Sequence, residues 1–269
     1  MKISISALSI AYGLTSEALR YYEEKELLAP DRTSAGGHRR FSIADVQRLG
    51  IIKSLQRQGF SLDEVREIMT CCSQEHLIAM MDEKRAQFRR EITFARAIHA
   101  RLSASTDLLR DSDRLLMCPR LCQGGAAYFV DFDSVAVLWK SVPQMPLLKD
   151  LIDALPLTSY CTIVPLARLL GEELPMRTGV VAPAEYLTLI RADFSQMRVS
   201  AGPRTVRTLF ELRQPTGRAM EPVLRTAQEF IAREGLTPVS DGYTRQHTWY
   251  TDENGRQCHF AELFIPVGD

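Results

Sequence analysis

Side chains that could contact DNA are concentrated in the stretch from residue 15 to residue 41. Ser16 and Arg20 lie four positions apart, so a helix capped by Thr15 would carry both on one face near its N-terminus. Arginine on such a face can reach base edges or phosphates in the major groove. Two tyrosines follow at once. The predicted DNA contacts of this helix are Ser16, Arg20, Tyr21 and Tyr22.

A group of basic side chains follows the glycine pair at positions 36 and 37. Two adjacent glycines permit positive φ and favour a tight hairpin. His38, Arg39 and Arg40 come directly after this turn, where they can meet a phosphate backbone. The whole chain carries 33 basic and 33 acidic residues. A local basic patch, and not a uniformly basic surface, would therefore supply the salt-dependent affinity for DNA.

The elements that must position these side chains form a helical pattern. A helix over residues 4–12, a break at Gly13 and the next helix give a helix-turn-helix, although a simple packing pair of helices has the same pattern. A third helix is predicted from Ile43, because apolar residues recur at helical spacing. A fourth is predicted after the capping box Ser61-Leu-Asp-Glu64.

Three segments in this order, ALRYYEEKELLAP, GGHRRFS and QGFSLDEVREI, resemble the MerR family of transcription regulators. The resemblance covers about the first 70 residues. Phe41 stands where the family's wing motif has a tyrosine, so one hydroxyl is missing. The resemblance implies a winged helix-turn-helix that reads double-stranded promoter DNA. It also implies that a dimer distorts a promoter with an overlong spacer, so that RNA polymerase can engage.

Residues 76–110 contain neither Pro nor Gly and predict one long helix. An apolar stripe recurs every seven residues at Met81, Phe88, Ala95, Leu102 and Leu109. The companion positions are Lys84, Glu91, Ile98 and Ser105. This pattern favours an antiparallel or short two-stranded coiled coil, and hence a homodimer, over a helix packed on its own domain. The MerR resemblance implies dimerisation through the same helix.

The composition changes after Pro119 and the glycine pair at 124–125. Strands are predicted at 126–139, 159–165, 178–191, 242–250 and 257–266, and helices at 145–154 and 217–234. This order predicts an α+β domain with a curved antiparallel sheet. The ending Glu262-Leu-Phe-Ile-Pro266 resembles the GyrI-like effector-binding domain. In MerR-type regulators that domain senses hydrophobic, often cationic drugs.

The resulting fold class is multidomain. We expect an all-α winged helix-turn-helix domain over residues 1–75 and a dimerisation helix over 76–115. An α+β GyrI-like domain with an antiparallel sheet is expected over 120–269.

Glu262 is the most informative single residue of the C-terminal half. Strand alternation places it between Phe260 and Phe264 on one face, with His259 facing away. Because an unpaired buried carboxylate is costly, Glu262 lies at an exposed edge, has an internal Arg or Tyr partner, or lines a pocket for an organic cation. The resemblance favours the pocket. Aromatic walls for such a cation are predicted at Tyr186, Trp249, Phe264, Trp139 and Tyr160.

Cys118 and Cys122 offer an alternative site. They follow the long helix, and two thiolates could hold a soft metal ion, which would make the chain a metal- or redox-responsive regulator. The six cysteines have irregular spacing, and no signal peptide or membrane-spanning run is visible, so we expect a cytoplasmic protein without a membrane partner.

Motifs of common enzyme classes are missing from the sequence. There is no G-x-S-x-G, P-loop or H-E-x-x-H pattern, so we expect neither an enzyme nor a bound cofactor. A hydrolase in which Glu262 acts as a base is the minor alternative.

Overall fold

The computed structural model describes residues 2–32, 39–132, 146–213 and 220–269. Backbone contacts divide the chain into two compact units, Met1–Glu91 and Ile92–Asp269. The division falls inside the long helix, so that helix is not a compact unit of its own. The three-part division expected from the sequence stays a prediction.

Short helices with well-formed caps build the first unit. They are α1 (Ile5–Tyr12), α2 (Ser16–Glu24), α3 (Ile43–Arg57) and α4 (Leu62–Thr70). Side-chain hydroxyls accept a backbone N–H at each N-cap, from Ser4, Thr15, Ser42 and Ser61. Ser42 and Ser61 form complete capping boxes. Local sequence therefore fixes the starts of all four helices.

A small antiparallel sheet accompanies these helices, so the first unit is not all-α as expected. Its strands are β1 (Ile3–Ser4), β2 (Asp31–Arg32) and β3 (Arg39–Phe41), in the order β1-β3-β2. Phe41 is fully buried and fastens β3 to the helical core. The predicted glycine turn and His38 lie outside the described residues.

The long helix α5 spans Gln74–Arg110, 37 residues, as the absence of Gly and Pro predicts. Three large apolar side chains of its stripe, Met81, Phe88 and Leu102, are exposed in the single chain, and so are Ile78 and Ile92. Two of the four companion positions expected from the sequence have partners within the chain, so they do not face outward as a seam. Lys84 pairs with Glu64 at 2.9 Å, and Ser105 is buried within the second unit. The exposed companions are Ile78 and Ile92 instead, three residues before and four after Met81 and Phe88.

After the short α6 (Ser112–Leu115), the second unit is built on one antiparallel sheet. Its strands are β4 (Arg120–Gln123), β5 (Ala126–Phe132), β6 (Ser159–Val164), β7 (Arg177–Pro183), β8 (Arg198–Ala201), β9 (Arg204–Arg213), β10 (Thr237–Pro238), β11 (Gly242–Thr251) and β12 (Gln257–Gly268). The order is β4-β9-β12-β11-β6-β7-β5-β8, with β10 paired to β12.

The sheet consists of two halves that meet along a short seam. Strands β6 and β11 pair only at Val164–Gly242 and Ile163–Tyr243. Beyond the seam they diverge, with one further link from Thr162 N to Thr244 Oγ1 at 2.8 Å. One half holds β5 to β8, and the other holds β4, β9, β11 and β12.

Each half is covered by its own helix. Helix α7 (Pro146–Asp153) buries Leu148 and Leu151 against β7. The short α8 (Leu166–Leu169) follows β6. Helix α9 (Met220–Arg233) is amphipathic and buries an apolar stripe against β9 and β12. Together they cover one side of the sheet, which we call the helix-covered face.

Several predicted strands have different ends in the structure. Residues 178–191 do not form one strand, because β7 ends at Pro183 and Ala184–Leu189 form a 3-10 helix. Proline has no N–H to continue the ladder. Only Ala126–Phe132 of the predicted 126–139 strand lie among the described residues. Strands β8 and β9 were not predicted.

A search of the described residues finds no helix with the length and apolarity needed to cross a membrane.

Candidate nucleic-acid interface and ligand cavity

Helix α2 presents three of its predicted DNA contacts at the surface. Arg20 is exposed, and the Ser16 Oγ lies 3.4 Å from the Ser9 Oγ of α1. Tyr21 is 46% exposed, with the Lys25 ammonium 5.7 Å from its ring centroid. These side chains form a polar and aromatic surface that is open to a nucleic acid.

Tyr22 is a core residue, which corrects its prediction as a DNA contact. It is 6% exposed, and its hydroxyl donates a hydrogen bond to Gln56 Oε1 at 3.0 Å. It lies three positions after the buried Leu19, so helical periodicity turns both inward. Tyr22 therefore positions α2 against α3.

Ion pairs fix the strands of the wing to α2. The Glu23 carboxylate accepts hydrogen bonds from Arg39 and, at 3.0 Å, from Arg32. Burial opposes ionisation of Glu23, but the two arginines outweigh it and lower its pKa. Arg39 thus connects β3 to α2 through its ion pair with Glu23. Arg40 points the other way and is exposed. His38 cannot be placed, since it lies outside the described residues.

Glu262 is fully buried in the second unit and has three partners from its own chain. Its carboxylate lies 3.2 Å from Arg120 Nη2, 2.5 Å from Arg207 Nη2 and 3.0 Å from His247 Nε2. Burial alone would raise the pKa of Glu262. The His247 hydrogen bond and the Arg207 charge outweigh burial and lower the pKa to about 2. Of the sequence alternatives, the internal arginine partner is the one that the structure contains.

Phe264 and Tyr186 also have internal surroundings. Phe264 stacks on Tyr243 at 5.0 Å, and the guanidinium groups of Arg207 and Arg245 lie 4.9 and 5.8 Å from its ring centroid. Tyr186 is on the 3-10 helix, so the strand neighbours on which its selection rested are absent. Burial, followed by the Glu185 charge, raises the pKa of Tyr186.

A hydrogen-bonded chain joins helix α5 to the Glu262 cluster. Ser105 Oγ lies 3.0 Å from His247 Nδ1, and the other ring nitrogen of His247 contacts Glu262. These residues resemble a catalytic triad in type. However, each side chain of the three is nine-tenths or more buried, so the Ser105 hydroxyl is closed off from solvent in this structure. These hydrogen bonds join α5 to the sheet.

Arg101 joins the same helix to both halves of the sheet. Its Nη2 donates to Ser159 Oγ on β6 at 3.1 Å and to the Gln246 carbonyl on β11 at 2.7 Å. Gln246 borders a β-bulge, where the register with β12 shifts between Gln246 and Thr248. Helix α5 is therefore held by two consecutive residues of this bulge, Gln246 and His247.

A cavity of about 510 Å³ opens where β6 and β11 diverge, on the helix-covered face. This volume is typical of small-molecule sites. Its lining comprises Tyr160, Cys161, Thr162, Thr178, Phe210, Leu212, Met220, Thr244, Gln246, Trp249, His259 and Ala261. The cavity thus brings together Tyr160 and Trp249 from the predicted effector site. Glu262 and Phe264 lie on the opposite face of β12, and Trp139 lies outside the described residues.

Sequence reasoning missed the polar residues of this cavity. The sequence analysis gave His259 no role in a site, but it lines the cavity and stacks on Trp249 at 4.3 Å. Thr244 and Gln246 are single polar residues in a strand, which no local pattern distinguishes. Alternation along β12 does place His259 away from Glu262, as the sequence predicted.

Cys118 and Cys122, the alternative metal or redox site, are both free thiols near the start of the sheet. Cys118 is exposed and Cys122 is half-buried on β4. Within the described ranges, no group of three or more His, Cys, Asp or Glu side chains is arranged to hold a metal ion.

A helix-turn-helix with a strand-built wing defines a DNA-binding regulator. Residues 3–71 match the model of the MerR HTH family regulatory protein, and residues 46–104 match that of the MerR DNA-binding region. A mercuric resistance operon regulatory protein of Pseudomonas fluorescens is 32% identical over 137 residues, which cover 46% of this chain and 90% of the relative. The chain belongs to the MerR family of transcription regulators.

Two further comparisons cover different parts of the chain. The regulator CueR of Yersinia pestis is 36% identical over 67 residues, 25% of this chain and 48% of that relative, so the match spans about half of CueR. The cryo-EM structure of the EcmrR–DNA complex in EcmrR-RPo aligns over 99% of this chain and 100% of its own, with 14% identity and a TM-score of 0.37.

Proposed function

We propose that this MerR-family chain is a cytoplasmic, ligand-responsive transcription activator that binds promoter DNA as a homodimer. A hydrophobic small molecule occupies the C-terminal unit and favours the protein state that distorts the promoter for RNA polymerase. The observation that carries the proposal is the cavity of about 510 Å³. Its wall residue Gln246 accepts a hydrogen bond from Arg101, which is on α5.

The exposed stripe of α5 supports the homodimer. Leu102 is 62% exposed and Met81 43% exposed, and Phe88 lies between them at the same heptad position. Large apolar side chains that recur every seven residues along one helix are typical of a helix–helix contact. A two-fold dimer would present two copies of α2 to a pseudo-palindromic operator.

The contacts of Arg101 and Ser105 support communication between the ligand and the long helix. A ligand can change DNA binding only through its different affinity for two protein states. A guest in the cavity contacts Gln246, and the carbonyl of Gln246 accepts a hydrogen bond from Arg101 of α5. Its neighbour His247 is bonded to Ser105. We propose that this bulge transmits ligand occupancy to the helix.

We do not place the ligand on Glu262. The expectation of a cationic drug rested on a carboxylate that is free to pair with it. Arg120 and Arg207 already balance that charge, and breaking a buried ion pair is costly. The cavity on the other face of β12 needs no such exchange.

The test is DNA binding by the purified full chain. We expect it to sediment as a dimer and to bind duplex DNA from upstream of its own coding region in a fluorescence anisotropy assay, with affinity that falls as salt rises. A chain that is monomeric and does not bind these duplexes at low salt would refute the proposal.

A metal- or redox-responsive regulator is the second candidate, because Cys118 is exposed and a matched relative is a mercuric resistance operon regulatory protein. The double variant Cys118→Ser, Cys122→Ser separates the two. A retained response to an organic ligand supports the cavity, whereas a response to Hg²⁺ or Cu⁺ that this variant loses supports the thiols.

A further inference from the structure

The cavity between β6 and β11 has an uncharged wall. None of the described residues that line it is an Asp, Glu, Lys or Arg. The described wall therefore offers an organic cation no counter-ion in place of the water that it loses. The ring faces of Trp249 and Tyr160 are groups of this wall that could attract a positive charge, and such contacts are weak where the rings are exposed to water. The described wall therefore suits an uncharged guest better than a cation.

Hydrogen bonds within the wall leave donors available to that guest. Thr244 Oγ1 accepts the Thr162 N–H at 2.8 Å, so its own hydroxyl hydrogen can be donated elsewhere. Gln246 Oε1 accepts the Trp249 indole N–H at 3.3 Å, which leaves the Gln246 amide NH₂ as a donor. A guest that meets both groups needs hydrogen-bond acceptors, for which carbonyl or oxide oxygens are suited.

His259 adds a polar atom that lacks a partner. It is 6% exposed, and its Nδ1 has no hydrogen-bond partner in the described part of the chain. Burial lowers the pKa of His259, so the ring is neutral near pH 7. A buried polar atom without a partner is costly, and a polar group beside this ring would remove that cost.

Aromatic rings define the shape of the guest. Trp249 is half exposed and lies at an interplanar angle of 29° to His259, while Tyr160 lines the cavity from the other half-sheet. Ala261 also lines the cavity, and its small side chain takes up little of the volume. Flat aromatic groups suit such surroundings, because stacking adds to the free energy of burial.

We infer that this cavity binds an uncharged aromatic molecule with hydrogen-bond acceptor oxygens, held by Thr244, Gln246 and His259 and separate from the Glu262 cluster. The inference rests on the proposed function, since it names the ligand class of the regulator. It differs from the cationic ligand that the sequence predicted.

Two probes of similar shape and different charge test the ligand class. Triphenylphosphine oxide is neutral and carries an acceptor oxygen, whereas tetraphenylphosphonium is a cation without one. Calorimetric titration of the full chain without DNA should give at least a tenfold lower Kd for the oxide. A phosphonium Kd equal to or below that of the oxide would overturn the inference, as would failure of both probes to bind.

The variant Gln246→Glu tests the location. It adds one carboxylate to the wall, so it should weaken the oxide at least tenfold and strengthen the phosphonium until their order reverses. Gln257→Glu is the matched control, because it adds the same charge at an exposed position of β12 outside the cavity. If both variants behave alike, the probes bind elsewhere and the location is wrong.

Thermal unfolding of each variant confirms that the folded chain is compared. Operator binding, measured separately by anisotropy, distinguishes the two levels of failure. If the oxide does not bind more tightly than the phosphonium but the chain still binds its operator, the proposed ligand class is rejected. The proposed role as a transcription regulator is then retained.

Discussion

Glu262 and Arg207 show how burial and charge decide the role of a residue. A fully buried carboxylate persists as an ion only when nearby donors compensate its lost hydration. Arg120, Arg207 and His247 provide that compensation. The same motif that suggested a cation pocket from the sequence therefore forms an internal electrostatic cluster.

Replacing Glu262 by Gln should destabilise the second unit by about 3 kcal/mol at pH 7, because Arg207 and Arg120 lose their counter-ion. The folded-state pKa of Glu262 is about 2, below the value of about 4.3 for an unfolded chain. Its stabilisation is therefore present above that unfolded value and is lost as pH falls towards 2.

Urea unfolding monitored by circular dichroism checks this pH dependence. The difference between wild type and variant should be largest near neutral pH and should shrink below about pH 4.5. Glu172→Gln, at an exposed carboxylate, is the control and should show no such trend. A difference that is independent of pH would contradict the ion-pair account.

Arg20→Ala should weaken operator binding about tenfold or more and reduce the salt dependence, because Arg20 is the exposed arginine of α2. Anisotropy titrations at several salt concentrations measure both effects. Arg225→Ala removes an exposed arginine of the second unit and should leave the titration unchanged. Equal behaviour of the two variants would remove Arg20 from the interface.

At the scale of elements, local signals were predictable and distant pairings were not. The caps Thr15, Ser42 and Ser61 act on backbone groups three residues away, so the helix starts could be read from the sequence. Strand β9 was missed, although it supplies Arg207. Its pairing with β12 joins residues more than 40 positions apart, and alternation alone does not reveal such a partner.

The candidate site was predictable only in part for the same reason. Tyr160 and Trp249 were identified from their type, but the cavity exists because β6 and β11 diverge beyond a two-pair seam. His247 has no register partner in β12, because a β-bulge shifts the register between Gln246 and Thr248, and such a bulge is a property of the paired strands. A single strand sequence does not contain it.

Arg101→Met should uncouple ligand binding from DNA binding. Burial, followed by repulsion from Arg245, lowers the pKa of Arg101 to about 10, so the side chain remains charged at pH 7. Removing its bonds to Ser159 and Gln246 should reduce the effect of triphenylphosphine oxide on operator affinity at least fivefold.

The measurement is the ratio of operator Kd values with and without saturating oxide. Calorimetry should show that the variant still binds the oxide. Arg110→Met changes an exposed arginine of the same helix and is the control. An unchanged ratio in Arg101→Met would reject the bulge as the route of communication.

At the scale of the whole molecule, the neutral net charge and the exposed stripe of α5 point to association. With 33 basic and 33 acidic residues, two copies of the chain do not repel each other strongly. The apolar residues of the stripe, among them Phe88 and Leu102, remain exposed in the single chain. A second copy would cover them.

Leu102→Glu should shift the chain from dimer to monomer, because it places a charge in the proposed apolar contact. Sedimentation velocity at micromolar concentration measures the shift, and operator affinity should fall with it. Arg90→Glu, at an exposed position of the same helix outside the stripe, should remain dimeric. A dimeric Leu102→Glu variant would move the interface elsewhere.

The short seam between β6 and β11 has a consequence for the breadth of recognition. Among the described residues, direct pairing between the two strands is limited to two residue pairs and the Thr162–Thr244 hydrogen bond, and Arg101 bridges them from α5. Each half keeps its own ladder and its own helix, so we expect the width of the cavity between the halves to vary more readily than the structure within either half. We therefore expect guests of different width to bind this one cavity while the strand pairing within each half stays intact.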